Sequence, residues 1–402
     1  MDTQIPKGTE NNPKYRFFIL VTMVMIAGFS QGMLLPLLAI MLEQLGVSSS
    51  LNGLNAAALY IGILLASPFI EKPVRKYGYK PVITIGLILI TLSLFLFPLW
   101  QVFWFWFILR IIVGIGDNMI HFATQVWITS TSPREKRGRN ISLYGLAFSL
   151  GFAIGPTMTR LLSINEYLPF IIASATSFIS WLFVLRLKNE WPEKEIETAT
   201  KTGTLKRYKQ VISLAWFALL PGFCFGYIEA SIHGNFPVYA LRSGMTIDMV
   251  TILLPAFVIG GLITKLPLGL LSDRLGRRKV LLTVISLGSV LFLSMIFIEN
   301  YPILLLITFI LSGCLLGSLY SLGIMYLADL LPKHLLPTGN VMTAVSFGLG
   351  SISGPLIGGF LIDIFPNGSI YYSIAGILVV VCVAGIIFKE TTNNREENSL
   401  AS

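Results

Sequence analysis

Residues 269–279 read GLLSDRLGRRK. An apolar run ends there in Asp273, which is set between Gly269 and Gly276 and followed by the bases Arg274, Arg277, Arg278 and Lys279. A related stretch, EKPVRKYGYKP, closes an earlier apolar run at residues 71–81. Charge is scarce elsewhere, so placing it twice in the same setting is the first clue to the architecture.

The scarcity is marked. Of 402 residues, 54% are hydrophobic and only 12% are charged, roughly half the charged fraction of a soluble domain. A soluble chain of this length would divide into domains with charged exteriors. Here the apolar residues form runs long enough to cross the roughly 30 Å hydrocarbon core as helices. Hydropathy windows predict twelve spans, at 17–42, 51–71, 80–99, 102–129, 140–163, 167–187, 211–238, 249–271, 279–298, 302–328, 339–363 and 370–388. This reads as an all-α polytopic membrane protein. Most connections are short. Segment 188–210 is charged and has no apolar period, so it is expected to link two six-helix bundles, residues 1–187 and 211–402. The polar start MDTQIPKGTENNPKYR and the length of the first run do not fit a cleaved signal.

Lys and Arg set the expected orientation. One side collects Lys72, Arg75, Lys76 and Lys80, then Arg134, Lys136, Arg137 and Arg139, the linker bases, and Arg274, Arg277, Arg278 and Lys279. The opposite loops hold little beyond Arg160 and Arg242. Positive residues stay inside, which puts both termini in the cytoplasm. The same placement accounts for the net charge of +9 without nucleic acid, and it suits anionic lipid headgroups. Cys224, Cys314 and Cys382 fall inside spans at unrelated spacings and read as packing residues, with no disulfide frame and no metal site.

The chain repeats itself. Aligning Gly78 with Gly276 superimposes the two loop stretches, and at nearly the same offset GFAIGPTMTR (151–160) falls near GSISGPLIGG (350–359). Pro133 matches Pro332, and SQGMLLP in the first span matches IHGNFP in the seventh with one residue of slippage. Two structural copies with a site at their interface are a common transporter plan.

These residues carry a resemblance to the major facilitator superfamily over essentially the whole chain. GLLSDRLGRRK resembles its loop signature, RIIVGIG (110–116) its fourth-span motif, GFAIGP its antiporter-type Gly-Pro motif, and SPREKRGR (132–139) its loop after the fourth span. The resemblance implies a twelve-helix fold in two pseudo-symmetric halves, monomeric by default. It also implies a cytoplasmic latch through Gly269, Asp273, Arg274, Gly276, Arg277 and Arg278 that stabilises an outward-facing state. Gly151, Gly155 and Pro156, with Gly354 and Pro355, would form smooth, bent helix surfaces that rock. A helix-end aspartate such as Asp273 also suits a neighbouring helix N-terminus, where the dipole favours an anion. The bases alone serve equally as an orientation signal. Two departures stand out. Arg75 occupies the aspartate position of the first loop copy, with Glu71 as a substitute acid, and Thr159 and Arg160 replace the closing glycines of the fifth-span motif.

Charges inside spans are expensive and therefore candidates for function. Arg110, Gly114, Asp117, His121 and Gln125 stay within about an 80° sector of the fourth span at 100° per residue. Arg110 and Asp117 are roughly 10 Å apart along the helix, too far to pair. Glu229 and His233 stand at i, i+4 in the seventh span, with Gly222 and Gly226 continuing their face. A carboxylate away from water and an imidazole that titrates near neutrality can exchange protons as access alternates. Asp117 and Glu229 lead as proton-coupling candidates, His121 and His233 assist, and Arg110 would by resemblance tune a nearby acid. A static polar network that orients helices is the competing role. Gln31, Asn118, Gln125, Tyr227 and Asn235 are candidate substrate contacts. Lys265 either snorkels to the inner interface or binds an anionic group, while Asp329 and His334 are expected to be solvated.

No GxxxxGK[ST] occurs, so an ion gradient, most simply of protons, is the expected energy source, with no cofactor. Three scattered histidines form no HExxH-type centre, which argues against an enzyme, and a receptor would carry an added domain or tail. The expected activity is proton-coupled export of small organic molecules from a bacterial cytoplasm. Export of an anionic metabolite or metallophore, or of a sugar, stands as the alternative.

Overall fold

In the computed structural model, which describes residues 12–192, 204–365 and 367–389, the apolar runs are helices. With no water in the bilayer core, helices satisfy every backbone group locally. In chain order they are α1 (Pro13–Gln44), α2 (Ser49–Ala66), the short α3 (Glu71–Tyr77), α4 (Tyr79–Leu96), α5 (Phe103–Thr131), α6 (Arg134–Ile154) and α7 (Leu168–Leu185). After the linker come α8 (Thr204–Gly234), the short α9 (Phe236–Arg242), α10 (Ile247–Leu275), α11 (Arg277–Ile298), α12 (Pro302–Leu316), α13 (Leu319–Leu330), α14 (Leu336–Ile364) and α15 (Ser369–Ile387). Among the described residues, twelve stretches are long and apolar enough to cross a membrane, with α12 and α13 together making one of them.

Several expected boundaries move. The fifth span's helix starts at Arg134 rather than 140, with Pro133 as the residue before it (φ −54°, ψ 145°), and the basic loop winds into its first turns. The seventh stops at Gly234 instead of 238, and Pro237 sits in the first turn of the restarted helix α9. Residues 204–210, expected as linker, open α8, and Ala215 (φ −143°, ψ 28°) breaks the helix between that basic stretch and the span proper. The linker's residues 193–203 lie outside the described ones.

The two Gly-Pro spans, matched in sequence, differ in form. After Ile154 the chain tightens into a 3₁₀ helix, Gly155–Ser163, whereas α14 runs unbroken through Pro355. Proline removes one backbone hydrogen bond in both. Only the first copy follows it with threonines that bond back three residues, Thr157 Oγ1 to Ile154 O (2.6 Å) and Thr159 Oγ1 to Pro156 O (2.8 Å). The departure at Thr159 thus has a local structural consequence.

Packing divides the chain into two units. The first runs to Leu38 and from Ala58 to the linker. There α4 packs on α5 and α7, around Phe97, which stacks on Phe170 at 5.7 Å and accepts a bond from Trp106 Nε1 at its carbonyl (2.9 Å). Tyr79 stacks on Trp127 at 5.3 Å. The second unit holds Ala39–Ala57 and everything after the linker, so α1 and α2 contribute to both. In it α8 lies on α14, α10 on α12 and α11 on α15. At the end of this unit that carries Glu43, Arg242 binds Glu43 through two nitrogens (2.8 and 3.1 Å) and reaches Asp363 at 3.2 Å. Asp363 in turn accepts the backbone N–H groups of Ser49 (3.0 Å) and Ser50 (2.8 Å). A carboxylate there meets the unpaired donors and positive dipole end of α2.

Candidate functional site

Each loop stretch turns at its glycine. Gly78 (φ 87°) separates α3 from α4 and Gly276 (φ 92°) separates α10 from α11, a backbone region that favours glycine. Around Gly276, Arg277 bridges Asp273 (3.0 Å) and Asp329 (2.6 Å). Asp329 is therefore ion-paired rather than simply solvated. Arg278 donates to the carbonyls of Gly385 (2.8 Å) and Ile386 (3.3 Å), at the end of α15 where the dipole favours a cation. Arg274 is exposed. The anion-on-helix-start arrangement foreseen for Asp273 is the one Asp363 makes with α2.

In the first copy, Glu71 pairs with Arg75 on its own helix at 2.8 Å. A carboxylate from elsewhere organises the loop. Glu190 binds Arg16 of α1 and accepts Trp127 Nε1 (2.7 Å), and its backbone carbonyl accepts the Tyr79 N–H (2.9 Å). Asn189 takes the Lys80 N–H (3.1 Å) and gives its amide to Tyr77 O (2.7 Å). The first residues of the segment expected as linker are thus docked on the loop. Their polar character was visible in the sequence, but nothing in its spacing points to these partners.

On α5 the polar stripe divides by partner. Arg110 is fully buried beside Tyr60 of α2, and a Cβ on Gly114 would lie 2.1 Å from Leu59 O, so this part packs on α2. One turn further, Asp117 is 3% exposed and its Oδ1 lies 3.6 Å from His121 Nε2. His121 Nδ1 is hydrogen-bonded to the hydroxyl of Tyr144 on α6, and Phe148 packs edge-on against the ring at 4.9 Å. Tyr144 is the residue sequence reading missed. It lies on another helix, and helical periodicity reports only neighbours on the same one.

The remaining candidates are distributed as follows. Asn118 donates to Ile63 O (2.7 Å) and Ser67 Oγ (2.8 Å), which uses both its amide protons to hold the end of α2. Gln125 is exposed and Gln31 is buried on α1. In the second unit, Tyr227 bonds Ser373 (2.6 Å) and Asn235 donates to Pro355 O (3.1 Å). Glu229 is half-buried, and Lys265 of α10 is its electrostatic neighbour. His233 is fully buried, and its Nδ1 donates to the backbone carbonyl of Glu229 (2.9 Å). Asp117 and His121 face each other through their side chains, while the Nδ1 of His233 bonds the backbone carbonyl of Glu229. Gly151 and Gly155 lie on α1, where a Cβ on Gly151 would stand 1.9 Å from Met25 O; Pro156 is buried beside them. Gly354 lies similarly on α8 at Tyr227 O (2.5 Å), with Pro355 next to it.

Among the described residues, twelve stretches long and apolar enough to cross a membrane, with a charged turn in two copies, describe a polytopic membrane protein. The model of the Major Facilitator Superfamily matches residues 20–255 and 236–402, and the chain belongs to that family. It is 46% identical to the uncharacterized MFS-type transporter YfkF of Bacillus subtilis, covering 94% of this chain and 96% of that one. It is 25% identical to Multidrug resistance protein 2 of the same organism, covering 96% and 98%. The crystal structure of a D-xylose–proton symporter superimposes with a TM-score of 0.75 at 13% identity, covering 94% of this chain and 98% of that one, which is a likeness of fold.

Proposed function

We propose that this transporter exports small organic molecules from a bacterial cell in exchange for protons, by alternating access, with both termini in the cytoplasm and as a monomer. The observation that carries the coupling is the buried Asp117 facing His121 on α5. A carboxylate is kept inside a span at a cost of roughly 2.5–3.5 kcal/mol on insertion scales, which argues for use rather than accident. Glu229, with Lys265 nearby, is the second titratable acid. The similarity to a multidrug resistance protein supports the export of amphipathic organic molecules. Arg277, bridging Asp273 and Asp329, supports a latch at the loop motif. A second reading, export of an anionic metabolite or metallophore, draws on the buried Arg110 and on Lys265.

The test is ethidium accumulation in inverted membrane vesicles energised by a pH gradient, with Asp117→Asn and Glu229→Gln beside the unmodified chain. Accumulation that a protonophore collapses and that either variant loses supports the proposal. If both variants accumulate ethidium normally, the coupling assignment is wrong. If none accumulates while protein is present in the membrane, a narrower and anionic substrate is favoured.

A further inference from the structure

We propose that Tyr144 is a positioning residue that holds His121 in the one neutral tautomer able to take the proton of Asp117. The inference rests on the proton-coupling reading of Asp117 given above.

The ring of His121 has neighbours on three sides. Asp117 Oδ1 stands 3.6 Å from Nε2, the Tyr144 hydroxyl is bonded to Nδ1, and Phe148 closes a flank. A neutral imidazole accepts a proton only at the nitrogen that carries the lone pair. Asp117 is at Nε2, so His121 can receive its proton only when the ring N–H is on Nδ1. That tautomer is favoured by an acceptor at Nδ1, since the bond made by one ring nitrogen decides the state of the other. A tyrosine hydroxyl can donate or accept; with a protonated Asp117 directed at Nε2, the ring N–H falls on Nδ1 and Tyr144 takes the accepting role, which it keeps when the ring becomes an imidazolium. In the transfer, the Asp117 Oδ1–H bond breaks as the gap to His121 closes, and the Nε2–H bond forms. A carboxylate–imidazolium pair remains, with Nδ1–H still on Tyr144.

The groups seen against the ring, among the described residues, come from α5 and α6. Asp117 comes from its own helix and Tyr144 from α6, while Phe148, itself stacked on Phe152 at 5.8 Å, is apolar. Arg110 lies roughly 10 Å beyond Asp117 along α5. The position of the hydroxyl is fixed by how α6 seats on α1. The carbonyl of Phe148 lies where a Cβ on Gly28 would be, at 2.3 Å, and Gly151 approaches Met25 O still more closely. The second unit supplies a built-in comparison. There His233 Nδ1 donates to a backbone carbonyl of its own helix, an acceptor that no side-chain substitution removes.

The experiment is nitrogen NMR of the full chain labelled with ¹⁵N-histidine in lipid nanodiscs, above neutral pH. Signals are assigned with His121→Gln and His233→Gln. In the unmodified chain, His121 should carry its proton on Nδ1. Tyr144→Phe should move that proton toward Nε2 and leave His233 unchanged. In proteoliposomes the same variant should slow pH-driven ethidium transport by about three- to tenfold, the worth of one neutral hydrogen bond, and shift its pH profile with KM unchanged. Finding His121 protonated on Nε2 in the unmodified chain overturns the proposal, even if the variant does not fold. An unaltered His121 signal in Tyr144→Phe overturns it too. Because the tautomer is read without transport, normal pH-driven transport by Asp117→Asn would overturn the coupling reading separately.

Discussion

A buried carboxylate binds or releases a proton usefully only where a base can reach it. Asp117 has that base in His121, one turn along the same helix, whereas Glu229 has Lys265 as its electrostatic neighbour and its backbone carbonyl takes the Nδ1–H of His233. At this scale the two acids should therefore behave differently. Asp117→Asn is expected to reduce pH-driven transport by roughly 10²-fold or more, the usual weight of a proton-transfer group. His121→Gln should follow it, and His233→Gln should leave the pH profile in place while lowering stability. Initial-rate transport across a pH series, with expression and detergent melting in parallel, separates these outcomes. Spacing in the sequence revealed Asp117 and His121 because i, i+4 partners share a face. It treated Glu229 and His233 as equivalent, because spacing does not say whether a side chain turns to a carboxylate or to a carbonyl.

On the scale of elements, α6 offers two kinds of glycine on one helix. A Cβ on Gly151 would stand 1.9 Å from Met25 O, while one on Gly145 meets nothing within 4 Å. Gly151→Val should overpack the α1 contact and cost about 1–3 kcal/mol or more. Gly145→Ala should stabilise α6 by up to about 1 kcal/mol through helix propensity. Thermal unfolding of the two variants in detergent should move in opposite directions. The docked turn at Glu190 is a second element-level device, since it ties α1, α4 and α5 to the start of the linker. Glu190→Ala should release that strap, and limited trypsin digestion between residues 188 and 210 should become several-fold faster. If the cleavage rate does not change, the carboxylate is not what holds the strap.

For the whole molecule, the segment from Ala39 to Ala57 matters because it packs with the second unit although it precedes most of the first. Arg242 joins Glu43 to Asp363, and Asp363 caps α2. Glu43 is the chief cause holding the Arg242 guanidinium more firmly protonated than usual, so the pair persists at high pH. Arg242→Ala leaves two partly buried carboxylates without their cation and should cost roughly 1–3 kcal/mol, the range for hydrogen bonds to charged groups. Glu43→Gln combined with Arg242→Ala should cost less than the sum of the two, because residues in one network do not act independently. Melting temperatures of the single and double variants test this directly.

By itself the sequence determined the class of protein. A hydrocarbon core demands long apolar helices and rejects charge, so the twelve spans, the repeat and the presence of acids at Asp117 and Glu229 were all legible in one dimension. The tertiary structure alone decided which partners those charges have. Tyr144, Glu190 and Asp363 each act on a helix or turn far away in sequence, and a pattern that repeats every 3.6 residues carries no information about a neighbour on another helix. The same holds for the Gly-Pro spans. Near-identical motifs end in a 3₁₀ helix in one half and continue as an α-helix in the other, because the threonines after Pro156 bond back to their own chain, whereas Pro355 O is met by Asn235 from α8's end.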